Sequence, residues 1–309
     1  MSAEKLKGSG AVTLRKVRSA FFSGLSGFAA LLIVLALAVI LIDAVRGGWT
    51  KLSWEFFTGA PTDGMTAGGI FPAIWGTTIL TLMMTVAVMP VGVMTAIYLH
   101  EYAPAGSKVA AAVRVAVQNL AGVPSIVFGL FGLGFFIHFV GENLDKAMGE
   151  ELRYGQPGLL WAALTLAVLT LPVVIVATEE ALRAVPADLR NASLALGATQ
   201  SQTLWRIVLP GATPGILTGA ILAVSRGAGE VAPILLTGAA YFLPELPKTI
   251  NSQFMHLGYH TYVLATQSPD VEATRPLLYG TVLVLLMLTF TLNFVAVILR
   301  SRTRSRANA

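Results

Sequence analysis

Long apolar stretches alternate with short polar segments along the whole chain, and this pattern predicts membrane-spanning helices. A hydrocarbon core of about 30 Å is crossed by about 20 helical residues. Windows of sufficient length without Asp, Glu, Lys or Arg are 19–42, 115–141, 154–178 and 276–299. Another span follows the glycine-rich start of 64–99, and the last window, 213–236, is interrupted by Arg226 and Glu230. We therefore predict an all-α integral membrane protein with six transmembrane helices.

The composition agrees with a membrane location and limits the chemistry. Hydrophobic residues make up 55% and charged residues 12% of the chain, and the mean hydropathy is +0.73. These values exclude a soluble globular class. The absence of cysteine excludes disulfides and thiolate chemistry. Because the sequence lacks a phosphate-binding glycine loop and a nucleophile with a placed base, we predict no catalytic site and no bound cofactor or metal.

Positive charges are distributed unequally between the predicted sides of the membrane. With the N-terminus placed in the cytoplasm, 14 of the 21 Lys and Arg residues fall in inner segments and six in outer ones, and Arg226 is the remaining one. The positive-inside rule therefore predicts a multi-pass protein of the cytoplasmic (inner) membrane with both termini cytoplasmic. We attribute the net charge of +5 to this topology and expect lipid, and no nucleic acid, as the contact of the basic ends.

Changes in polarity divide the chain into tails, loops and a helical core. A basic tail precedes the first helix, an external loop follows it, and a core of five further helices contains one cytoplasmic loop. The predicted boundaries are 1–18 for the first tail, 19–44 for the first helix, 45–73 for the external loop, 74–299 for the core, 179–210 for the cytoplasmic loop and 300–309 for the second tail.

The cytoplasmic loop has the local chemistry of helix, turn and helix. Residues 187–196 are good helix formers, Gly197 is a typical left-handed stop, and Thr199 with Gln202 matches a capping box for a second helix. Pro210 is predicted to end that second helix. Such an elbow is able to dock on a soluble partner through its exposed leucines, and the alternative is an amphipathic helix lying on lipid.

The fifth predicted helix carries a stripe of small residues. Gly215, Gly219, Ala223 and Gly227 recur every four residues. This spacing lets membrane helices approach closely, so we predict that the stripe is a helix-packing face.

Arg226 and Glu230 are the charged residues within the same helix window. They are four residues apart and therefore able to pair on a helix. Because an ionisable side chain in a membrane span is costly unless it is paired or faces water, we interpret both as substrate-pathway residues rather than as a structural ion pair. A guanidinium suits a tetrahedral oxyanion, with Glu230 orienting it or acting as a gate. Further donors are expected from Ser225 or from another subunit.

Two histidines and a proline mark the long outer loop, 238–275. We interpret His256 and His260, four residues apart, as interfacial polar residues rather than as a zinc site, because neither a carboxylate nor a cysteine accompanies them. The loop contains PELPKTINSQFMHLGYH (244–260), in which a short surface helix is predicted after Pro247.

Five motifs together resemble a known family. They are GGIFPAIWGT (68–77), AIYLHEYAP (96–104), LAGVPSIVFGLFGLG (120–134), EEALRAVPADLRNASLALGAT (179–199) and AVSRGAGEVAPILLTGAA (223–240). The spacing from Asn191 through Gly197 to Pro210 resembles the EAA loop of ABC importer permeases. The pattern around Arg226 and Glu230 is similar to the phosphate branch of that family, the A-type permeases (PstA).

The resemblance implies a type I ABC importer permease fold in a phosphate importer with several subunits. The expected partners are a homologous C-type permease, two ATP-binding subunits that use ATP and magnesium, an external phosphate-binding protein and the lipid bilayer. The family's ATPase-docking role transfers to Asn191, Ala192, Ser193, Leu194, Gly197, Ala198 and Gln202. The chain departs from the family pattern at Asn191, because the motif opens with an acidic residue. This removes the charge for an ion pair with the ATPase.

Two other functions share part of this pattern. A permease for another oxyanion or small solute differs only in the donors that line its pathway. An ATP-independent secondary carrier predicts inverted repeats with paired broken helices, and the sequence does not show that symmetry.

Overall fold

Helices form most of the molecule. The computed structural model describes residues 3–104, 106–268 and 270–307. The helices are α1 Ala3–Gly48, α2 Trp54–Thr58, α3 Phe71–Ile97, α4 Lys108–Ala121, α5 Ser125–Phe131, α6 Glu142–Met148, α7 Leu159–Arg183, α8 Ala187–Ala195, α9 Gln200–Thr203, α10 Leu209–Gly229, α11 Ala232–Thr237, α12 Leu257–Thr266 and α13 Val271–Ala307. Wider π-type turns occupy Tyr98–Tyr102, Gly132–Gly141 and Leu204–Val208. The short strands β1 (Pro61–Thr62) and β2 (Ala67–Gly68) pair in antiparallel register, with Pro61 opposite Gly68.

Six helical segments of the described chain are long and apolar enough to cross a membrane, which confirms the predicted number of spans. They are Arg18–Lys51, Phe71–Tyr102, Ser125–Met148, Leu159–Arg183, Gln200–Gly229 and Val271–Ile298. Each is longer than the roughly 20 residues that the hydrocarbon core requires.

The third span differs from the predicted window 115–141. The first part of that window belongs to α4, which ends at Ala121, and the span begins only at α5. Pro124 is the N-cap of α5 (φ −57°, ψ 138°), a position at which the missing N–H of proline costs no helical hydrogen bond. Because the window 115–141 contains no charged residue, its composition gave no sign of this boundary.

The fourth span, α7, lies at the centre of the bundle. It packs against α3 and α10, and 67% of the residues in its most apolar window are buried. Leu80, Leu166 and Ala223, one from each of these helices, belong to the same buried cluster. By contrast, none of the corresponding window of α1 is buried, and α1 contacts α13 near Tyr279. The main buried cluster is therefore formed chiefly by the second, fourth and fifth spans, and α1 lies on the outside.

The two ends of the helix bundle are distinguished by the segments that the second and fourth spans contact there. The second and fourth spans begin beside the segment 237–257, where Leu257 N–H donates to Thr77 Oγ1 (2.9 Å) and Leu159 N–H donates to the Ser252 carbonyl (3.0 Å). They end beside α8 and α9. We call the end with α8 and α9 the loop end and the other the outer end.

A helix follows Pro247, but it starts only at Leu257, as α12, and Leu257, Val263 and Leu264 of this helix are buried. Residues 248–256 before it form turns, and Phe254 forms a single parallel bridge with Ala239. The Ala240 N–H donates to the Phe254 carbonyl (2.8 Å), so non-local backbone pairing keeps these residues out of a helix until His256 caps α12.

Candidate functional site

The fifth span is broken close to its charged residues. The α10 helix ends at Gly229, Glu230 is its C-cap in extended backbone (φ −78°, ψ 128°), and α11 starts at Ala232. The window 213–236, predicted as one span interrupted by two charges, is therefore divided between two helices. Gly229 and Pro233 bracket the break, and Pro233 suits the first turn of α11 because its missing N–H has no helical acceptor there.

Arg226 and Glu230 lie together at this break but form a loose pair. The Arg226 Nε and Glu230 Oε1 atoms are 3.5 Å apart, and the side chains are 38% and 23% exposed. Because the distance exceeds that of a good charge-assisted hydrogen bond, most of the guanidinium's donor capacity is not used by Glu230. The arrangement places the positive charge of Arg226 beside a carboxylate, that of Glu230, which is only loosely bound to it.

Ser225, the third predicted pathway residue, is connected to the last span. Its hydroxyl donates to Asn293 Oδ1 (2.6 Å) on α13. Asn293 was missed by sequence reasoning, although an amide in the apolar run of the sixth span is the kind of signal that identifies interhelical hydrogen bonds.

The small-residue stripe of α10 lies against two neighbouring spans. A Cβ added to Gly219 would lie 2.9 Å from the Ala177 Cβ of α7, and Gly215 packs as closely against Ala181. Ala223 is fully buried, and Gly227 packs against Met84 of α3. The backbone of α10 approaches both spans at distances that leave no space for larger side chains.

The predicted helix–turn–helix of the loop is confirmed as local structure. The α8 helix ends at Ala195, and Gly197 has φ +86°, the left-handed conformation that favours glycine. The capping box is complete: Gln202 N–H donates to Thr199 Oγ1 (3.2 Å), and Thr199 N–H donates to Gln202 Oε1 (2.9 Å). The prediction that Pro210 ends the second helix is wrong, because Pro210 lies in the first turn of α10 and the span continues from α9 through a π-type turn.

Most predicted docking residues are exposed at the loop end. Asn191, Ala192, Leu194 and Gln202 are exposed, and Ala198 is half-buried. Ser193 is also half-buried, with its hydroxyl 2.9 Å from Thr203 Oγ1. Large apolar side chains of the same surface are exposed as well, namely Leu189, Leu194, Leu196 and Trp205.

The two histidines of the outer segment are buried, so their interpretation as interfacial residues is wrong. His256 is 0% and His260 2% exposed. Burial disfavours the charged imidazolium and lowers the pKa of His256 to about 3 and that of His260 to about 4. His256 Nδ1 accepts from Gly258 N–H (3.1 Å), and a Cβ on Gly258 would lie 2.7 Å from Val231, the residue after Glu230. These neutral residues therefore lie close to the break in the fifth span.

Comparisons with known proteins agree with this architecture. The family described as binding-protein-dependent transport system inner membrane component matches residues 88–305. The chain belongs to this family and is a multi-pass inner-membrane protein.

Relatives cover most of the chain. It is 32% identical to the probable ABC transporter permease protein YqgI of Bacillus subtilis, over 84% of this chain and 88% of the relative. It is 34% identical to the phosphate transport system permease protein PstA 1 of Mycobacterium tuberculosis (strain ATCC 25618 / H37Rv), over 82% and 76%. It is 29% identical to the probable phosphate transport system permease protein PstA of Methanocaldococcus jannaschii, over 89% and 91%.

Solved structures share the fold. A chain of a bacterial alginate ABC transporter, in complex with a periplasmic protein carrying an alginate pentasaccharide, superposes with a TM-score of 0.60 at 17% identity, covering 87% of this chain and 91% of the other. A chain of the MetNI methionine ABC transporter gives 0.56 at 19% identity, covering 75% and 94%. The predicted type I importer permease fold is confirmed.

Proposed function

We propose that this chain is the A-type membrane subunit of an ATP-driven importer for inorganic phosphate. The observation that carries the proposal is the position of Arg226, whose partly exposed guanidinium lies at the break of the fifth span. Two relatives named as phosphate transport permeases support the choice of anion.

The chemistry of Arg226 suits a phosphate ion. A guanidinium stays charged at every physiological pH and is able to donate two parallel hydrogen bonds to oxygens of one phosphate. Glu230, whose Oε1 lies 3.5 Å from Arg226 Nε, is repelled by the anion and leaves the guanidinium when phosphate arrives. The carboxylate thereby acts as a competing gate.

A second subunit completes the pathway in this proposal. Arg226 supplies one positive charge, whereas a phosphate dianion carries two negative charges, and the Ser225 hydroxyl is already engaged with Asn293. Ser225, Arg226 and Gly229 are exposed on the surface of α10. We assign this face to contact with the homologous C-type permease, which contributes the remaining donors.

The loop end is the site of energy input in this proposal. The exposed residues between Asn191 and Gln202 dock on one of two ATP-binding subunits, which bind and hydrolyse ATP with magnesium, and an external phosphate-binding protein delivers the ion at the outer end. The positive-inside rule supports a cytoplasmic position for the loop end and for both termini.

Reconstitution tests the proposal directly. The permease pair and the ATP-binding subunits are placed in liposomes with the binding protein, and uptake of radiolabelled phosphate is measured with ATP and with a non-hydrolysable analogue. We expect ATP-dependent uptake that excess unlabelled phosphate suppresses and excess sulfate does not. Suppression by sulfate would favour a general oxyanion permease, and uptake without ATP would favour a secondary carrier.

A further inference from the structure

The loop contacts the end of the second span as well as the start of the fifth. Arg190 Nη2 lies 3.1 Å from Glu101 Oε1, and Gln200 Nε2 donates to the Glu101 main-chain carbonyl (2.8 Å). Arg190 belongs to α8, and Gln200 begins α9. Both short helices of the loop therefore hold one residue of the second span, one through its side chain and one through its backbone.

Glu101 lies in a turn that several elements enclose. It belongs to the π-type turn Tyr98–Tyr102 that continues α3, within the motif AIYLHEYAP. In the same turn the Leu99 carbonyl accepts from Arg114 Nη2 of α4 (2.6 Å). Arg114 also lies 3.1 Å from Glu179 Oε1 of α7. The second and fourth spans, α4 and the loop thus meet around this one turn.

The ion pair between Arg190 and Glu101 is enclosed but incompletely satisfied. The two side chains are 23% and 12% exposed. Although the ion-pair distance is short, Glu101 Oε1 and Arg190 Nε are buried without hydrogen-bond partners among the described residues, and Arg190 Nη2 donates instead to the Leu182 carbonyl (2.5 Å). Because enclosed, imperfect ion pairs add little net stability, this geometry favours a role in positioning over one in holding the fold together.

A continuous path of contacts leads from Glu101 to the candidate transport site. The α3 helix runs from this turn along α7, and Met84 of α3 packs directly against Gly227 of α10. Gly227 follows Arg226 in the chain. A displacement of the second span therefore changes the packing of Gly227, the residue next to Arg226.

We propose that Glu101 is a positioning residue that transmits movement of the loop to the second span, in parallel with the covalent connection of the loop to α10. This inference rests on the proposed function, because it requires ATP-driven movement of the loop. Through Glu101 the loop displaces the second span at the same time as the fifth. The helix that carries Arg226, α10, and the helix that packs beside it, α3, then move together.

The test is a double-mutant cycle in the reconstituted complex. The variants are E101Q, R190Q and the double variant, and the readout is phosphate transported per ATP hydrolysed, measured together with co-purification of the ATP-binding subunits. We expect each single variant to lower the ratio about tenfold, a typical coupling strength, with assembly unchanged. The double variant should lose no more than either single one, because both remove the same contact. The matched control is E150Q, which breaks an exposed ion pair of 2.9 Å with Arg153 and should leave the ratio unchanged.

Two outcomes decide against the inference. An unchanged ratio in E101Q with normal assembly would show that the loop acts without this contact. Loss of assembly in both single variants would make the pair a structural requirement. If the unmodified complex does not take up phosphate with ATP, the proposed function fails and the inference about Glu101 is not affected. The same variants are then compared by the amount of the solute that the complex does transport per ATP hydrolysed.

Discussion

The two ends of the fifth span differ in how completely their polar groups are partnered. At the loop end, Thr199 and Gln202 cap each other reciprocally and Ser193 contacts Thr203, so the turn has a defined shape. At the other end, Arg226 and Glu230 are 3.5 Å apart and partly exposed. The comparison shows that the hydrogen bonds at the loop end fix its geometry, whereas at the other end most of the Arg226 donors have no close partner among the described residues.

The surroundings of the broken end add to this difference. Val231 follows Glu230 and lies against Gly258, whose N–H donates to the buried His256. The exposed charges are thus next to a region in which a titratable residue is kept neutral by burial. We expect changes at the broken end to affect transport most, and changes at the loop end to affect assembly with the ATPase.

Removal of the charge at Arg226 should have the largest effect. R226Q is expected to lower ATP-dependent phosphate uptake at least about 30-fold, because removing the protein partner of the charge pair that phosphate forms with Arg226 in this proposal costs about 2–5 kcal/mol. Assembly should stay intact, and the control R153Q should transport normally. Normal uptake by R226Q would show that Arg226 does not contact the anion. The expected difference in function between the two ends would then be wrong.

Acid should destabilise the protein through the buried histidines near the broken end. Because burial lowers the pKa of His256 to about 3 and of His260 to about 4, the folded state keeps them neutral while the unfolded state takes up protons below about pH 6.5. Their stabilising contribution is complete above that pH and is lost as the pH falls towards 4, by about 2 kcal/mol per histidine at pH 5.

Thermal unfolding of the purified protein in detergent measures this loss. The midpoint should fall between pH 7 and pH 5, and the fall should be smaller in H256Q and H260Q than in the control H138Q, whose side chain is exposed. An equal fall in all three variants would place the acid sensitivity elsewhere.

Docking at the loop end should depend on the backbone conformation of Gly197 and not on the space around it. An added Cβ there meets no atom within 4 Å, but φ is +86°, so a β-branched residue costs about 1–2 kcal/mol. G197V should therefore weaken co-purification of the ATP-binding subunits, whereas G197N should retain most of it, because asparagine tolerates this conformation. The control G106V changes a second glycine of positive φ with open surroundings. Equal retention in G197V and G197N would contradict the conformational explanation.

Loss of the hydrogen bond between Ser225 and Asn293 should have the smallest effect. Hydrogen bonds between membrane helices average about 0.6 kcal/mol, so S225A should lower the unfolding midpoint only slightly and leave assembly unchanged. The control T291A removes a hydroxyl that donates within its own helix, to the Met287 carbonyl (2.7 Å). A large loss of uptake in S225A with an unchanged midpoint would move Ser225 into the anion contact.

Several features were predictable because they depend on neighbouring residues. The capping box needs only Thr199 and Gln202, and the left-handed turn needs only a glycine at 197, so local chemistry predicted both. Glycine spacing in α10 likewise predicted a face without side chains. The capping box and the left-handed turn each close within about one helical turn, whereas the spans that pack against the α10 stripe were not predicted.

The errors arise from two causes, local helix boundaries inside apolar windows and contacts that are distant in sequence. The lengths of apolar windows did not reveal that the third window is split at Pro124 or that α10 ends before Glu230, where α11 begins and packs against α5. The burial of His256 depends on spans that are distant in sequence. Asn293 and Glu101 each carried a signal, a polar residue in or at the end of an apolar run, but their partners were not deducible.

By itself the sequence determined that this chain spans a membrane, approximately where its six spans lie, and that an elbow separates the fourth from the fifth. These properties follow from apolar length and from hydrogen bonds within a few residues. Only the tertiary structure decided which charges are enclosed and with which partners, placing Glu101 against Arg190 and leaving Arg226 loosely paired. The physical reason is that the free energy of a charge in a membrane protein depends on what the other helices bring next to it.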